Sequence, residues 1–316
     1  MLIIGQITII LLGLLSGSAC SETYDALVAM IEDPNHQIQM KGKERLAFVI
    51  KKNFLKRDPE QFSQDTFYFA HFINSKTRDL AMGISFPPYE GNLVVLTEKN
   101  GRYVPTGPIT GIGFVESIEA VKLFPGPLDQ LVLNLYGGGS GWRHWAKDIY
   151  RWDGKKIRMI WAWVRRDLYK KWPSGSRGEI IGHAVRSEIS FSNLRGDAVK
   201  EIRTSNTLEK GIFAHQSWEL EKVTSRRETN TIHKWDQSIF FYVAKYGEIL
   251  PPGISVRCWE GIPQKEGSET LLKGRKVGII EIPGTHKPED QVYRVVIGKE
   301  HFCETPKTAI RILFQE

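Results

Sequence analysis

The most regular hydrophobic pattern in the chain runs through residues 114–163. Ile118, Val121, Leu123, Leu131, Leu133 and Leu135 fall close to every second position, and Pro125-Gly126-Pro127 divides them. A period near two with such a break predicts two strands and a turn. Further on, apolar runs at 149–152 and 157–163 flank Asp153-Gly154-Lys155. Asp-Gly between apolar runs is a strong local hairpin signal. The whole stretch therefore predicts a small antiparallel meander.

The same outline recurs loosely on either side. Upstream, Asp79-Leu80-Ala81-Met82 takes the place of Asp129-Gln130-Leu131-Val132, and Asn100-Gly101 takes that of Asp153-Gly154. Downstream, Asp197-Ala198-Val199 and Lys234-Trp235-Asp236-Gln237 fill those positions. The spacing is unequal, as expected of repeats whose surface loops differ in length. Chance matches in a β-rich chain are the alternative reading. Outside the meander units, Tyr24, Leu27, Val28 and Ile31 recur at helical spacing before Asp33-Pro34, so one short helix is predicted. Residues 34–42 read as a polar connector, and 46–50 as an apolar run of undecided type. Residues 105–113 read as a glycine-rich connector. A long insertion at 203–227 carries one further strand near Trp218. After Pro251-Pro252-Gly253, short strands are predicted at 254–259, 277–282, 292–297 and 309–314.

The outline of residues 65–244 is an apolar strand, a short polar loop, Asp, a second apolar strand and later a hairpin like Tyr150-Arg151-Trp152-Asp153-Gly154-Lys155-Lys156. It resembles the FG-GAP and VCBS families, whose units are blades of β-propellers. The resemblance implies a mainly β fold: an antiparallel, propeller-like β-repeat body with a small C-terminal β region. Three visible units fall short of the four to eight blades of an ordinary propeller. Either the ends contribute degenerate blades or the structure is open or sandwich-like. Many loops of these families hold several Asp residues on calcium. Here the loops ending at Asp79, Asp129 and Asp197 hold one Asp each, too few oxygen ligands for a dedicated site, and turn formation through backbone bonds is the preferred role. The expected organisation is a leader at 1–19, a helix and connector at 20–64, the repeat body at 65–250, and a last region at 251–316. That last region reads as a small barrel, a sandwich or fold-closing strands.

Residues 2–15 are apolar or small apart from Gln6 and Thr8, and Ser16-Gly17-Ser18-Ala19-Cys20 follows. The run is too short for an ordinary spanning helix and reads as a secretory signal peptide, although no Lys or Arg precedes it. Ser-Ala-Cys resembles the end of a bacterial lipoprotein signal, with Gly17 where Leu is usual, so Cys20 is the expected lipid attachment site. The chain as a whole is 41% apolar and 25% charged, which places it among globular chains and not disordered ones. A formal charge of +7 is spread among acidic residues without a stripe, so nucleic acid is not an expected partner.

Candidate chemistry concentrates after the central hairpin. Six of the nine tryptophans lie between Trp142 and Trp172. Trp152, Trp161 and Trp163 sit on predicted strands and read as core. Trp142, Trp145 and Trp172 have glycine or proline neighbours and read equally well as loop residues. The run Gly137-Gly138-Gly139-Ser140-Gly141 is not a nucleophile elbow, since Trp142 stands where the last glycine is needed. It reads as a flexible loop. With Trp142, His144, Trp145, Lys170, Lys171 and Trp172 it forms the candidate ligand-binding surface, the basic pair favouring negative charge. Glu116, Glu119 and Asp148 are carboxylates near aromatic residues and serve as candidate acids, with solvated or turn roles as the alternative. The histidines are scattered, no phosphate loop or zinc motif is present, and no cofactor or metal is expected. Cys258 and Cys303 both fall in the last region and would pair in an oxidising compartment.

Two functional readings follow. In the first, the protein is exported, lipid-anchored to a membrane of the cell envelope through Cys20, and serves as a non-enzymatic binding or assembly module with an envelope protein or glycan as partner. In the second, it is a carbohydrate-binding or carbohydrate-active protein that uses loop aromatics and a carboxylate pair.

Overall fold

The structure, a computed structural model, describes residues 23–173, 178–193, 198–215, 217–260, 265–280, 292–299 and 301–313. The expected leader, Cys20 and Asp197 lie outside them. Among the described residues no helix is long and apolar enough to cross a membrane, which says nothing of β-barrels.

Two helices open the described chain. Thr23 caps α1 (Tyr24–Glu32) by accepting a hydrogen bond from the Ala26 amide, and Leu27, Val28 and Ile31 form its buried stripe. Asn35 caps α2 (His36–Ile50) in the same way, accepting from Gln37 N–H. The polar connector expected at 34–42 is thus helical. Its polar residues are the exposed face of α2, and the buried face is Gly42, Leu46, Ala47 and Ile50. A side chain at Gly42 would meet Met30 Cβ at 2.7 Å, so glycine is what lets the helices approach.

Three four-stranded antiparallel meanders follow. The first is β1 (Gln64–Ala70), β2 (Asp79–Phe86), β3 (Glu90–Lys99) and β4 (Arg102–Pro105). A short β5 (Ile109–Ile112) also pairs with β3, so part of the expected connector is strand. The second is β6 (Phe114–Val121), β7 (Gln130–Gly139), β8 (Trp142–Trp152) and β9 (Ile157–Lys171). The third is β10 (Ile180–Ser192), β11 (Glu201–Phe213), β12 (Leu220–Asp236) and β13 (Phe241–Val243). The insertion expected at 203–227 is the long arm in which β11 pairs with a largely exposed β12, not an extra strand.

The meanders stack face to face. Strands β2 and β3 are buried on both sides, which is why their sequences are continuous apolar runs and do not alternate. Leu80, Met82, Ile84 and Leu96 pack on the helices, while Ala81, Leu93 and Val95 meet Ile118, Leu131, Leu133 and Tyr150 of the second unit. On its other side the second unit packs Ile149, Ile160, Trp161 and Trp163 against Ile202, Phe240 and Tyr242 of the third. Yet the second and third units are one eight-stranded sheet, because residues 166–171 of β9 pair with 181–186 of β10. The sheet curls back until His233 of β12 meets Trp161 and Trp163 of β9 edge-on.

Register gives the equivalences between units. The first hairpin of each closes at Ala70↔Asp79, Val121↔Gln130 and Ser192↔Glu201. The structural counterpart of Asp79 is therefore Gln130, one position beyond Asp129, and in the third unit Glu201 and not Asp197. Chemistry agrees with the register. Asp79 Oδ2 accepts from the amides of Phe72, Ile73 and Asn74, and Gln130 Oε1 accepts from the Leu123 amide, each bracing the loop before its own strand. Asp129 instead receives the His71 amide from the neighbouring unit and pairs with Lys122 at 3.1 Å.

A third sheet ends the chain, in the order β16 (Lys265–Leu272), β15 (Gly253–Glu260), β19 (His301–Pro306), β18 (Val292–Gly298), β17 (Lys276–Ile280), β14 (Lys245–Ile249), β20 (Ile310–Leu313). It takes β14 from upstream of the boundary expected at 251. Val296 and Phe302 of this sheet pack on Ile239, Phe241 and Val243 of the last hairpin of the third unit. The protein is mainly β with antiparallel sheets, and no strand path closes on itself among the described residues.

Candidate functional site

The expected loop at 137–141 is mostly strand. Gly137, Gly138 and Gly139 pair with His144, Arg143 and Trp142, leaving Ser140 and Gly141 as a tight hairpin connection. Gly138 is required by the close strand approach here, since a side chain would meet the Trp142 carbonyl at 2.7 Å.

Alternation along β8 and β9 then divides the candidate residues between two faces. Trp142 and His144 share one face with Asp167 and Tyr169, their register partners being Tyr169 and Asp167. Trp145 is on the other face, half-buried, with its ring 5.0 Å from Tyr136 and the Arg166 guanidinium 5.3 Å above it. The basic pair is split in the same manner. Lys171 is exposed, whereas Lys170 is only 5% exposed. Its ammonium donates to the Ser217 carbonyl and lies 4.7 Å from the Trp218 ring and 5.2 Å from Phe213. Burial and the nearby Arg143 charge both push its pKa down. Lys170 and Lys171 therefore do not act as one anion-selecting pair. Trp172 is 49% exposed and caps this cluster, its ring 5.7 Å from Lys170 Nζ.

The face that holds Trp142 and His144 carries the more specific chemistry. Asp167 is 1% exposed. Its Oδ1 accepts from Trp142 Nε1 at 2.6 Å and lies 3.1 Å from His144 Nδ1, while Oδ2 lies 3.0 Å from His183 Nε2. Burial alone would raise its pKa, but the hydrogen bonds from the two histidines and Trp142 outweigh burial and hold the carboxyl below its ordinary range. An ionised carboxylate only accepts, so His144 carries its proton on Nδ1 and His183 on Nε2. Each imidazole is braced by an aromatic ring, His144 on Trp142 at 5.2 Å and His183 on Tyr169 at 5.4 Å.

Beside this cluster a half-open cavity of about 360 Å³ lies between β8–β9 and the last sheet. Among the described residues its lining is the Trp142 indole, the small apolar side chains of Ala146, Ala162 and Val164, the polar groups of His144, Asp148 and Arg294, and the strand at Trp163, whose indole lies on the opposite face against the third unit. Trp163 is fixed by its Nε1–H donating to Asn206 at 3.0 Å. Arg294 comes from β18 and stands 3.7 Å from Glu304. Asp148 is held among protein groups with its open side towards the cavity. Desolvation lifts its carboxyl to about 7, against the opposing pull of His144 and of the Tyr150 hydroxyl at 3.4 Å. Two acids near one histidine are thus poised in opposite directions: hydrogen bonds favour the charged form of Asp167, and desolvation favours the neutral form of Asp148. Of the other candidate acids, Glu116 pairs with Arg165 and Glu119 accepts from Asn134 at 2.6 Å. Neither lines the cavity.

Period-two reading of β8 places Trp142, His144 and Asp148 on one face, so these were within reach of the sequence. Asp167 stands as a single acid in a basic run, a weak signal. His183 and Arg294 reach the site through register and sheet packing, for which local sequence has no sign.

In the last sheet Cys258 and Cys303 face each other in register, and their sulfurs are bonded at 2.09 Å. Compared with known proteins, the chain matches no family model and none of the characterised proteins.

Proposed function

We propose that the protein is an exported module, lipid-anchored to a membrane of the cell envelope through Cys20, that binds the end of a glycan in the cavity beneath Trp142. The cavity carries the reading. Its volume falls at the lower end of small-ligand sites, and its lining joins the half-exposed Trp142 indole to His144, Asp148 and Arg294. Sugar rings present apolar C–H faces that stack on indoles and hydroxyls that both donate and accept. A neutral Asp148 donates, an ionised one accepts, and Arg294 donates. The propeller-like family affiliation belongs to the same proposal, and what supports it is the succession of three four-stranded antiparallel meanders. Attachment is tested by the intact mass of the chain in the membrane fraction. A mature chain that starts at Cys20 and carries acyl chains is expected, and Cys20→Ser should leave the protein unprocessed or soluble. A mature chain that begins elsewhere without lipid overturns the anchoring.

One observation favours glycoside hydrolysis as a second reading. Asp148 lines the cavity and burial raises its carboxyl pKa, as a general acid requires, while Asp167 lies outside the lining and is occupied by Trp142, His144 and His183. Release of reducing ends from envelope polysaccharide, abolished in Asp148→Asn with binding retained, would move the protein to that class. No release by the wild type leaves the binding module.

A further inference from the structure

The cysteine pair has neighbours that a structural bridge does not require. Cys258 lies on β15, Cys303 and His301 lie two residues apart on β19, and Glu269 lies on β16, so three adjacent strands converge on one face. One donor atom from each of these four side chains falls within 4.8 Å of all the others. His301 Nε2 and Glu269 Oε2 are 3.0 Å apart, while Arg275 holds the other carboxylate oxygen at 2.7 Å. Opposite Cys258 in the register stands Gly267, where a side chain would meet nothing within 4 Å. Gly267 thus leaves room beside Cys258, while both cysteines themselves are buried. The donor set of two sulfurs, an imidazole and a carboxylate is complete for a tetrahedral ion.

We propose that Cys258, Cys303, His301 and Glu269 form a redox-gated site for a divalent ion of the zinc class, independent of the glycan cavity. While the disulfide stands, the sulfurs are bonded to each other and the site is closed. A dithiol reductant opens it: two electrons and two protons convert the disulfide to two thiols, and the reductant becomes a disulfide. Metal binding then displaces the two thiol protons and forms two metal–sulfur bonds. Around a tetrahedral zinc ion donor atoms stand roughly 3.3–3.8 Å apart, so the sulfurs need only part by side-chain rotation. Arg275 would keep Glu269 oriented through its outer oxygen and offset one of the three ligand charges. Paired thiolates select zinc or cobalt over magnesium and calcium. The sequence conceals the site, because the ligands are irregularly spaced and only the sheet order β16-β15-β19 gathers them.

Cobalt(II) is the probe. The mature protein is reduced with a phosphine, freed of reductant without oxygen, and titrated, with the oxidised protein in parallel. Thiolate-to-cobalt charge-transfer absorption saturating at one equivalent in the reduced protein, and absent from the oxidised one, is the expected result. His301→Ala and Glu269→Gln should each weaken binding at least tenfold, and Cys303→Ser should abolish the charge-transfer band. If reduction alone loosens the sheet, one equivalent of metal should restore its circular dichroism. No stoichiometric binding by reduced protein, equal binding by oxidised protein, an unchanged affinity in both ligand variants, or failure of metal to restore a loosened sheet would each overturn the proposal.

Discussion

Replacing Asp79 tests how the first meander is held and what its single loop carboxylate does. Asp79 is buried, and one oxygen receives the amides of Phe72, Ile73 and Asn74 at 2.9, 2.5 and 3.0 Å. Asp79→Ala removes that acceptor and leaves three amides to find water in a loop next to Phe72, itself fully buried. An orphaned buried donor costs about 1–3 kcal/mol, and bonds to a charged acceptor are worth about 1.5–3 kcal/mol each. Water will reach the part-buried amides, so a total of about 4 kcal/mol is expected. Asp79→Asn keeps a carbonyl oxygen but not its charge and should cost roughly half of that. Urea unfolding followed by tryptophan fluorescence measures both, and the midpoint should fall in the order wild type, Asn, Ala with the slope unchanged. Calcium should not shift the wild-type midpoint, because the oxygen that faces the loop is already occupied by amides. An Ala variant within about 0.5 kcal/mol of wild type, or a calcium-dependent midpoint, would refute the assignment of Asp79 as a loop brace.

Four further outcomes follow from packing and burial. Trp161→Ala should cost about 3–5 kcal/mol, whereas Trp142→Ala, at a side chain 39% exposed, should cost about 1.5–3 kcal/mol, chiefly through its lost bond to the Asp167 carboxylate; a loss at Trp142 equal to or above that at Trp161 in thermal unfolding would contradict the assignment of core and surface. Asp148 has a pKa raised in the folded state to about 7, so its contribution is intact below about pH 4 and is lost as pH rises through 7. Asp148→Asn, always neutral, should therefore be more stable than wild type by on the order of 2–4 kcal/mol above pH 7, with no gain at pH 4. His233 has the opposite sign, since burial lowers its pKa to about 3. It favours the fold above about pH 6.5 and loses that contribution as pH falls towards 3, and His233→Phe should flatten that acid limb. Gly182→Ala would place Cβ 1.9 Å from the Tyr169 carbonyl and 2.9 Å from Phe213, a clash the β9–β10 pairing cannot absorb. Loss of soluble protein, or a midpoint lower by several kcal/mol, is expected, and a wild-type midpoint would refute that close approach.

The parts legible in the sequence are those set by short-range pattern. Alternation and Asp-Gly exposed the central meander, and Leu27, Val28 and Ile31 exposed α1. The repeat outline reached the right three stretches but the wrong equivalents, because an acid at a loop end is a weaker marker than hairpin register, and Asp129 sits one position from Gln130. Helix α2 was obscured because only one narrow side of it is buried, leaving a polar surface that reads as a connector. In the candidate site, Trp142 and His144 were within reach as alternate residues beside a glycine run. Lys170 misled, since charge alone does not announce burial among Trp218, Phe213 and the Ser217 carbonyl. Arg294 belongs to a different sheet and joins the cavity only through tertiary packing.

Calorimetric titration of the mature protein with oligosaccharides released from the envelope of its own cell tests the cavity most directly. Saturable binding at one site per chain is expected, weakened at least tenfold in both Trp142→Ala and Arg294→Ala while their circular dichroism stays that of the wild type. No saturable heat from the wild type, or variants that bind as it does, would contradict a glycan site between β8–β9 and the last sheet.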